Sequence, residues 1–162
     1  MNYRPAVGIV SLATLLLAAG NAAALERFTV SADGQEVTDA QTSLVWRRCA
    51  EGMKWDGKTC MGKAMTLKLS AAKERTAATA KSEDKSWRIP SKDELKGIVV
   101  KSKKNPAIDV FLFPNTPAAL FWALRPGFKD NLNAWVVDFN KGKVYGNTRQ
   151  GKFHVRLVRA SP

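Results

Sequence analysis

The chain has few of the residues that carry most enzyme chemistry. Its 162 residues include two cysteines and one histidine. No Gly-x-Ser-x-Gly, His-Glu-x-x-His, P-loop or dinucleotide-binding fingerprint occurs in the sequence. Two thiols and the distant His154 do not complete the tetrahedral ligand set of a structural zinc site. We therefore expect no cofactor, no bound metal and no enzyme activity.

Acidic residues are also scarce, with 14 Asp and Glu against 26 Lys and Arg and a formal net charge of +12. This excess draws in anionic polymers or surfaces, such as sulfated or uronic polysaccharide, envelope phosphates, acidic lipid headgroups or nucleic acid. We expect no sequence-specific nucleic-acid binding, because no known reading motif is present. The alternative is that the charge only keeps the protein soluble.

Long apolar runs are missing except at residues 6–19. Arg4 precedes this run and small residues follow at 22–24, which is typical of a secretory signal peptide. A membrane anchor is the alternative, but the run is shorter than the roughly 20 residues that span a bilayer. We predict a signal peptide at residues 1–24 and one domain at residues 25–162. The mature protein would be periplasmic, secreted or at the cell surface, with no transmembrane segment.

An oxidising compartment would allow Cys49 and Cys60 to form a disulfide, since disulfides persist in exported proteins. The loop between them contains two glycines and the turn dipeptide Asp56-Gly57. We expect the bond to hold this irregular loop closed.

The segment at residues 87–90, Trp-Arg-Ile-Pro, organises the middle of the domain. Its proline favours an extended residue before it, and Ser91 with Glu94 has the spacing of a helix capping box. A strand should therefore lead directly into a helix. We expect the two apolar side chains of the segment to face the core and Arg88 to face away from it.

The remaining pattern is strands, then helices, then strands. Helices are predicted at residues 70–81 and from 91 to about 101, the first with a narrow apolar stripe of Leu69, Ala71, Ala72 and Ala78. Strands are predicted at residues 28–30, 36–38, 44–47, 120–123, 134–139, 143–145 and 153–159. Four apolar residues of a proline-punctuated segment are expected to fill the core: Ile108, Val110, Phe111 and Phe113. This order favours a single compact α+β domain, in which strands from both ends pair in an antiparallel sheet beside two helices.

The best candidate for a ligand-binding surface lies in the late loops, where basic residues stand beside aromatic ones. Its members are Arg125, Lys129, Lys141, Lys143, Arg149 and Lys152, with Trp122, Phe128 and Tyr145. Loops often carry binding residues, arginine offers forked donors to sulfate or carboxylate, and aromatic rings stack on sugars. The alternative is that the aromatics belong to the core and the charges are scattered.

Three other groups of residues are candidate sites. A basic run of Lys101, Lys103 and Lys104 should steer anions without holding them. Asp138 and His154 are the least implausible acid/base pair, although a lone histidine in a strand is more often structural. Oxygen-bearing side chains at residues 130–133 could hold calcium or form a solvated turn.

A series of short motifs runs in order through the domain. They are Val-Thr-Asp and Leu-Val-Trp at 37–39 and 44–46, the cysteine loop at 48–60, Trp-Arg-Ile-Pro at 87–90 with Glu94-Leu95, Pro-Ala-Ile-Asp at 106–109, Phe-Pro-Asn-Thr at 113–116, Phe121-Trp122 and the closing run at 155–159. Together they resemble the Lcl C-terminal domain family of exported bacterial proteins, named after a collagen-like adhesin. The resemblance covers nearly all of residues 25–162. It implies an extracytoplasmic domain related to C-type-lectin-like folds, glycosaminoglycan binding in the adhesin, and no established enzyme activity.

We therefore expect an exported binding module that attaches to anionic polysaccharide or another cell-envelope polymer, as an adhesin does. Two alternatives stay open. One is an enzyme that acts on the cell envelope, and the other is a structural or assembly accessory without a ligand of its own. The oligomeric state also stays open.

Overall fold

The computed structural model describes residues 26–125, 134–146 and 150–162. Within these residues the chain forms nine strands and two helices. The strands are β1 Phe28–Val30, β2 Glu36–Asp39, β3 Leu44–Arg47, β4 Lys54–Trp55, β5 Cys60–Met61, β6 Leu120–Leu124, β7 Ala134–Asp138, β8 Lys143–Gly146 and β9 Val158–Ala160. The helices are α1 Leu69–Glu83 and α2 Lys92–Gly97. The α+β class predicted from the sequence is confirmed.

One antiparallel sheet joins the two ends of the domain in the order β1-β2-β3-β9. The turn between β1 and β2 contains Gly34 at φ +72, a left-handed conformation that glycine adopts without a steric cost. Trp46 of β3 pairs with Val158 of β9. The predicted pairing of early and late strands is therefore confirmed.

A second antiparallel sheet contains β6, β7 and β8 in that order. The turn from β7 to β8 includes Gly142 at φ +69, as its Asn-Lys-Gly sequence predicts. Strand β6 is buried on both faces, since Phe121 and Ala123 pack into one apolar cluster while Trp122 packs into another. This sheet thus connects the two halves of the core.

The junction at residues 87–90 has the predicted geometry. Trp87 and Ile89 are buried, and Arg88 is exposed. The Ser91 side chain accepts a hydrogen bond from the Glu94 N–H, and the Glu94 carboxylate accepts one from the Ser91 N–H, which completes the capping box. Helix α2 ends at Gly97 rather than near residue 101, consistent with the weak helix propensity of glycine.

Helix α1 buries only part of the predicted stripe. Its buried residues are Leu69, Ala72, Thr76 and Thr79, whereas Ala78 is exposed. The Thr76 hydroxyl donates a hydrogen bond of 2.7 Å to the Ala72 carbonyl, so its polar group is satisfied inside the helix. A pattern based on alanine and leucine alone could not identify this face.

The segment at residues 105–117 departs from its prediction in part. Ile108 and Phe113 are buried as expected, but Val110 is 49% exposed and Phe111 is 78% exposed. The Asp109 carboxylate accepts a hydrogen bond from the Phe111 N–H, and its carbonyl accepts one from the Phe113 N–H. This turn leaves the two intervening apolar side chains outside the core, so the prediction that they fill it was wrong.

The predicted last strand at residues 153–159 is broken in the structure. Phe153 and His154 form isolated bridges with Leu67 and Phe121, and the regular strand starts only at Val158. Arg156 lies between these two parts and is fully buried. The chain therefore crosses from one sheet to the other within this segment.

Arg156 joins three parts of the core. Its guanidinium donates to the carbonyls of Arg47 and Arg48 and, over 2.6 Å, to the Thr116 hydroxyl. Its charge also lies 4.8 Å from the centre of the Phe113 ring. Burial lowers the pKa of Arg156 to about 9, because desolvation penalises the charged guanidinium.

Candidate functional site: a cleft beside the late hairpin

A cleft of about 540 Å³ opens at the start of β6, beside the hairpin of β7 and β8. We call it the late-loop cleft. It is lined by Thr66, Ala118, Ala119, Leu120, Asp138, Asn140, Lys141, Tyr145, Lys152, Phe153 and His154. Three separate stretches of the chain thus contribute polar or aromatic groups to one concave surface.

Three of the predicted binding residues meet in this cleft. Lys141 comes from the β7–β8 turn, Tyr145 from β8 and Lys152 from the segment that precedes Phe153. Tyr145 is 42% exposed, and both lysines are exposed. Lys143 is also exposed, but it does not line the cleft. The cleft therefore combines an accessible aromatic ring with two cationic side chains.

Trp122 does not belong to this surface. It is fully buried, its indole N–H donates a 2.7 Å hydrogen bond to the Leu67 carbonyl, and its ring packs edge-on against Phe153 at 4.7 Å. A ligand on the surface cannot stack on a ring that is inside the core. The expectation that Trp122 binds a ligand is therefore corrected to a packing role.

Arg125 lines a different cleft, which we call the junction cleft. This cleft also measures about 540 Å³ and is lined by Lys73, Thr76, Ala77, Trp87, Arg88, Ile89, Ser91, Glu94, Leu124 and Arg125. Leu120 lines the late-loop cleft and Leu124 the junction cleft. These residues are at opposite ends of β6, about 13 Å apart at the rise of an extended strand. The structure thus does not bring Arg125 together with the late lysines.

The junction cleft contains an ion pair that was not predicted from the sequence. Arg88 donates two hydrogen bonds to the Glu94 carboxylate, at 2.8 and 2.7 Å. Burial alone would raise the pKa of Glu94, but the hydrogen bonds from Arg88 and from the Ser91 N–H outweigh it and lower that pKa. The pair fixes the start of α2 against the preceding strand.

Several residues of the sequence-based candidates fall outside the described part of the chain. These are Phe128, Lys129, Asp130, Asn131, Asn133 and Arg149. Their predicted roles in ligand or calcium binding stay predictions.

Asp138 and His154 both line the late-loop cleft. The Asp138 carboxylate accepts a hydrogen bond of 2.8 Å from the Asn140 N–H. His154 Nδ1 lies 2.9 Å from the Met65 carbonyl, which can only accept, so Nδ1 carries the proton and Nε2 keeps its lone pair. Burial lowers the pKa of His154, which favours the neutral imidazole. Within the described residues no hydrogen bond joins these two side chains, so they are neighbours in one cleft rather than a dyad.

Sequence reasoning missed the contribution of Thr66 and Ala118 to the cleft. The strand bridge between Leu67 and Phe153 brings the Thr66 segment beside the late loops. Leu67 and Phe153 are far apart in the sequence, and a single bridge between them leaves no periodic pattern of residues. No signal in the sequence could have found this contact.

Within residues 26–125, 134–146 and 150–162, no group of three or more His, Cys, Asp and Glu could hold a metal ion. No helix in that same part of the chain is long and apolar enough to cross a membrane. The disulfide between Cys49 and Cys60 is present, which confirms the predicted pairing.

The family model of the Lcl C-terminal domain matches residues 35–159, which is most of the chain. The chain belongs to the Lcl C-terminal domain family. No curated protein and no solved structure matches it.

Proposed function

We propose that this protein is an exported module that binds anionic polysaccharide or another anionic polymer of the cell envelope. The observation that carries the proposal is the late-loop cleft, where the exposed ring of Tyr145 lies with Lys141 and Lys152. Concave sites with a few convergent polar groups are the usual places for ligands. The module would have no enzyme activity.

The chemistry of the cleft suits a negatively charged sugar. A tyrosine ring offers an apolar face for a sugar ring and a hydroxyl for hydrogen bonding. Two ammonium groups from different stretches of chain can each form a charge-assisted hydrogen bond with sulfate, phosphate or carboxylate. The net charge of +12 would add long-range attraction for such a polymer.

The proposal also covers the finer fold and the cellular location of the protein. We include in it a C-type-lectin-like arrangement of the sheets and helices, signal-peptide cleavage after residue 24, and a periplasmic, secreted or cell-surface location. The disulfide between Cys49 and Cys60 supports an oxidising compartment. The small side chains of Ala22, Ala23 and Ala24 support the cleavage position.

Binding to a sulfated oligosaccharide tests the proposal. The variant K141Q/K152Q should lose about 2 kcal/mol of binding free energy, roughly thirtyfold in Kd, if each charge-assisted hydrogen bond contributes about 1 kcal/mol at an exposed site. The matched control is K81Q/K96Q, which lowers the net charge equally at exposed positions on the two helices. Titration calorimetry and the eluting salt on a heparin column are the two measurements.

The two variants separate a site from diffuse attraction. If both lose affinity equally, only the net charge matters and the cleft is not the site.

The role of the Tyr145 ring is tested separately. Y145F should bind nearly as well as the unchanged protein and Y145A should bind more weakly, because only Y145A loses the ring. Equal binding by Y145A would remove tyrosine stacking from the proposal.

A second candidate function is supported by one observation: Asp138 and His154 line the same cleft. A neutral imidazole with a free Nε2 lone pair has the protonation state that a general base requires. This alternative predicts that the protein releases soluble fragments from cell-envelope polymer and that H154Q does not. Absence of any fragment release by the unchanged protein would eliminate it.

A further inference from the structure

Two exposed large apolar side chains of the described residues are neighbours at one turn. Phe111 is 78% exposed and Val110 is 49% exposed. We call these two residues the apolar tip. Scattered exposed apolar residues are common on soluble proteins and need no explanation. The apolar tip differs because the backbone beneath it is held by a dedicated set of hydrogen bonds.

Arg48 holds this backbone from the inside of the molecule. Its side chain donates hydrogen bonds of 2.8 Å each to the carbonyls of Phe111, Leu112 and Gly34. Arg48 is itself buried, with its guanidinium 4.3 Å from the centre of the Trp55 ring. The turn is therefore fixed, and it directs its apolar side chains outward.

Three lysines lie in the turn next to the apolar tip. Val99 pairs with Ile108 and the Val100 N–H donates to the Ala107 carbonyl, which closes a loop at residues 100–107. Within this loop Lys101, Lys103 and Lys104 are exposed. We call them the lysine turn.

A single carboxylate connects the lysine turn to the apolar tip. The Lys103 ammonium lies 2.9 Å from Asp109 Oδ2, and Asp109 Oδ1 accepts a hydrogen bond of 2.9 Å from the Phe111 N–H. The apolar and cationic groups thus form one continuous surface.

We propose that the apolar tip inserts into the interface of an anionic lipid bilayer while the lysine turn contacts the phosphate headgroups. Reversible membrane attachment takes two signals, an apolar insertion and a basic patch, and this surface supplies both. A protein partner is less well matched, because a two-residue tip offers far less apolar area than a specific protein interface buries. The surface is separate from the late-loop cleft, so the inference does not depend on glycan binding.

Vesicle partitioning tests the proposal. Purified protein is sedimented with vesicles of phosphatidylglycerol and phosphatidylcholine, and separately with vesicles of phosphatidylcholine alone. The unchanged protein should partition onto the anionic vesicles and only weakly onto the neutral ones. V110S/F111S should lower the partition coefficient at least about tenfold, because the insertion of a phenylalanine and a valine is lost. F111W should keep the binding, since tryptophan favours the membrane interface.

Two controls separate insertion from other effects. M65S removes an apolar side chain that is 43% exposed on a different segment and should leave partitioning unchanged. K101Q/K104Q should weaken binding to anionic vesicles and make it less sensitive to salt. Every variant is prepared as the mature chain from residue 25 onward, so the apolar run at residues 6–19 does not contribute to partitioning. Thermal melting of each variant checks that it is folded.

Two results would overturn the proposal. The first is equal partitioning of V110S/F111S and the unchanged protein onto anionic vesicles. If V110S/F111S also changes the sedimentation velocity of the free protein, that result would assign the apolar tip to a protein interface. The second is equal binding of the unchanged protein to charged and neutral vesicles.

Discussion

Replacing Arg156 with methionine should destabilise the fold by about 3 kcal/mol. Arg156 is fully buried, and its guanidinium donates to the carbonyls of Arg47 and Arg48 and to the Thr116 hydroxyl. Within the described residues no carboxylate forms a salt bridge with it. The side chain therefore acts as a hydrogen-bond donor to backbone groups more than as half of an ion pair.

The magnitude follows from what methionine leaves behind. Methionine fills most of the arginine volume and removes a costly buried charge, which offsets part of the loss. The two carbonyls that Arg156 contacts then lose a buried donor, at roughly 1–3 kcal/mol each. Thr116 keeps its own hydrogen bond to the Phe113 carbonyl, so its hydroxyl adds little to the cost.

Urea denaturation followed by tryptophan fluorescence measures this change as a shift in midpoint at constant slope. The matched control is R88M, which removes an arginine from an exposed pair with Glu94 and should cost about 1 kcal/mol or less. If R156M loses no more stability than R88M, the buried arginine does not organise the core and the reasoning is refuted.

Three further predictions concern the capping box, acid stability and the disulfide. S91A should lower the free energy of unfolding by about 1 kcal/mol in the same urea assay, and S91T should restore most of it; no effect for S91A would mean that the box does not set the start of α2. The pKa of Glu94 is lowered in the folded state, so the stabilisation by its carboxylate is complete above the ordinary carboxyl pKa of about 4 and is lost as the pH falls through the folded value. The melting temperature of E94Q should therefore fall less between pH 6 and 3 than that of the unchanged protein. An identical fall would contradict the stabilising role of the Glu94 carboxylate. Thiol titration of the denatured, unreduced protein should find no free thiol at Cys49 and Cys60, and reduction should cost roughly 3 kcal/mol on the entropic model; two free thiols would contradict the bond.

Local signals predicted much of the fold. The capping box at Ser91 and the turns at Gly34 and Gly142 depend on neighbouring residues, so the sequence displays them directly. The pairing of early and late strands followed from the order of elements. These features were visible because the chemistry that creates them lies within a few residues.

Long-range contacts explain what the sequence did not reveal. The exposure of Phe111 depends on Arg48, a residue far away in the chain whose charged side chain would ordinarily be expected outside. Burial of Arg156 likewise depends on acceptors contributed by β3 and by the Thr116 segment. An apolar residue outside and a charged residue inside both reverse the simple hydrophobic pattern.

The candidate site was predicted only in part, because the burial and the position of its residues depend on long-range contacts. Lys141, Lys152 and Tyr145 line one cleft, although only their loop positions and residue types were visible in the sequence. Trp122 was misassigned because an aromatic residue beside basic loops resembles a stacking platform, while burial depends on both faces of β6. Arg125 was misgrouped because it follows the end of β6 that lines the junction cleft, whereas the late-loop cleft lies at the other end of that strand.

Amide chemical-shift mapping with a sulfated oligosaccharide shows directly whether the late-loop cleft binds an anionic glycan. Binding in the cleft should give saturable shifts that concentrate at Thr66, Ala118, Ala119, Tyr145 and His154, with little change at the exposed lysines of α1 and α2. Shifts spread evenly over the basic residues of the surface, without saturation at the cleft, would contradict it.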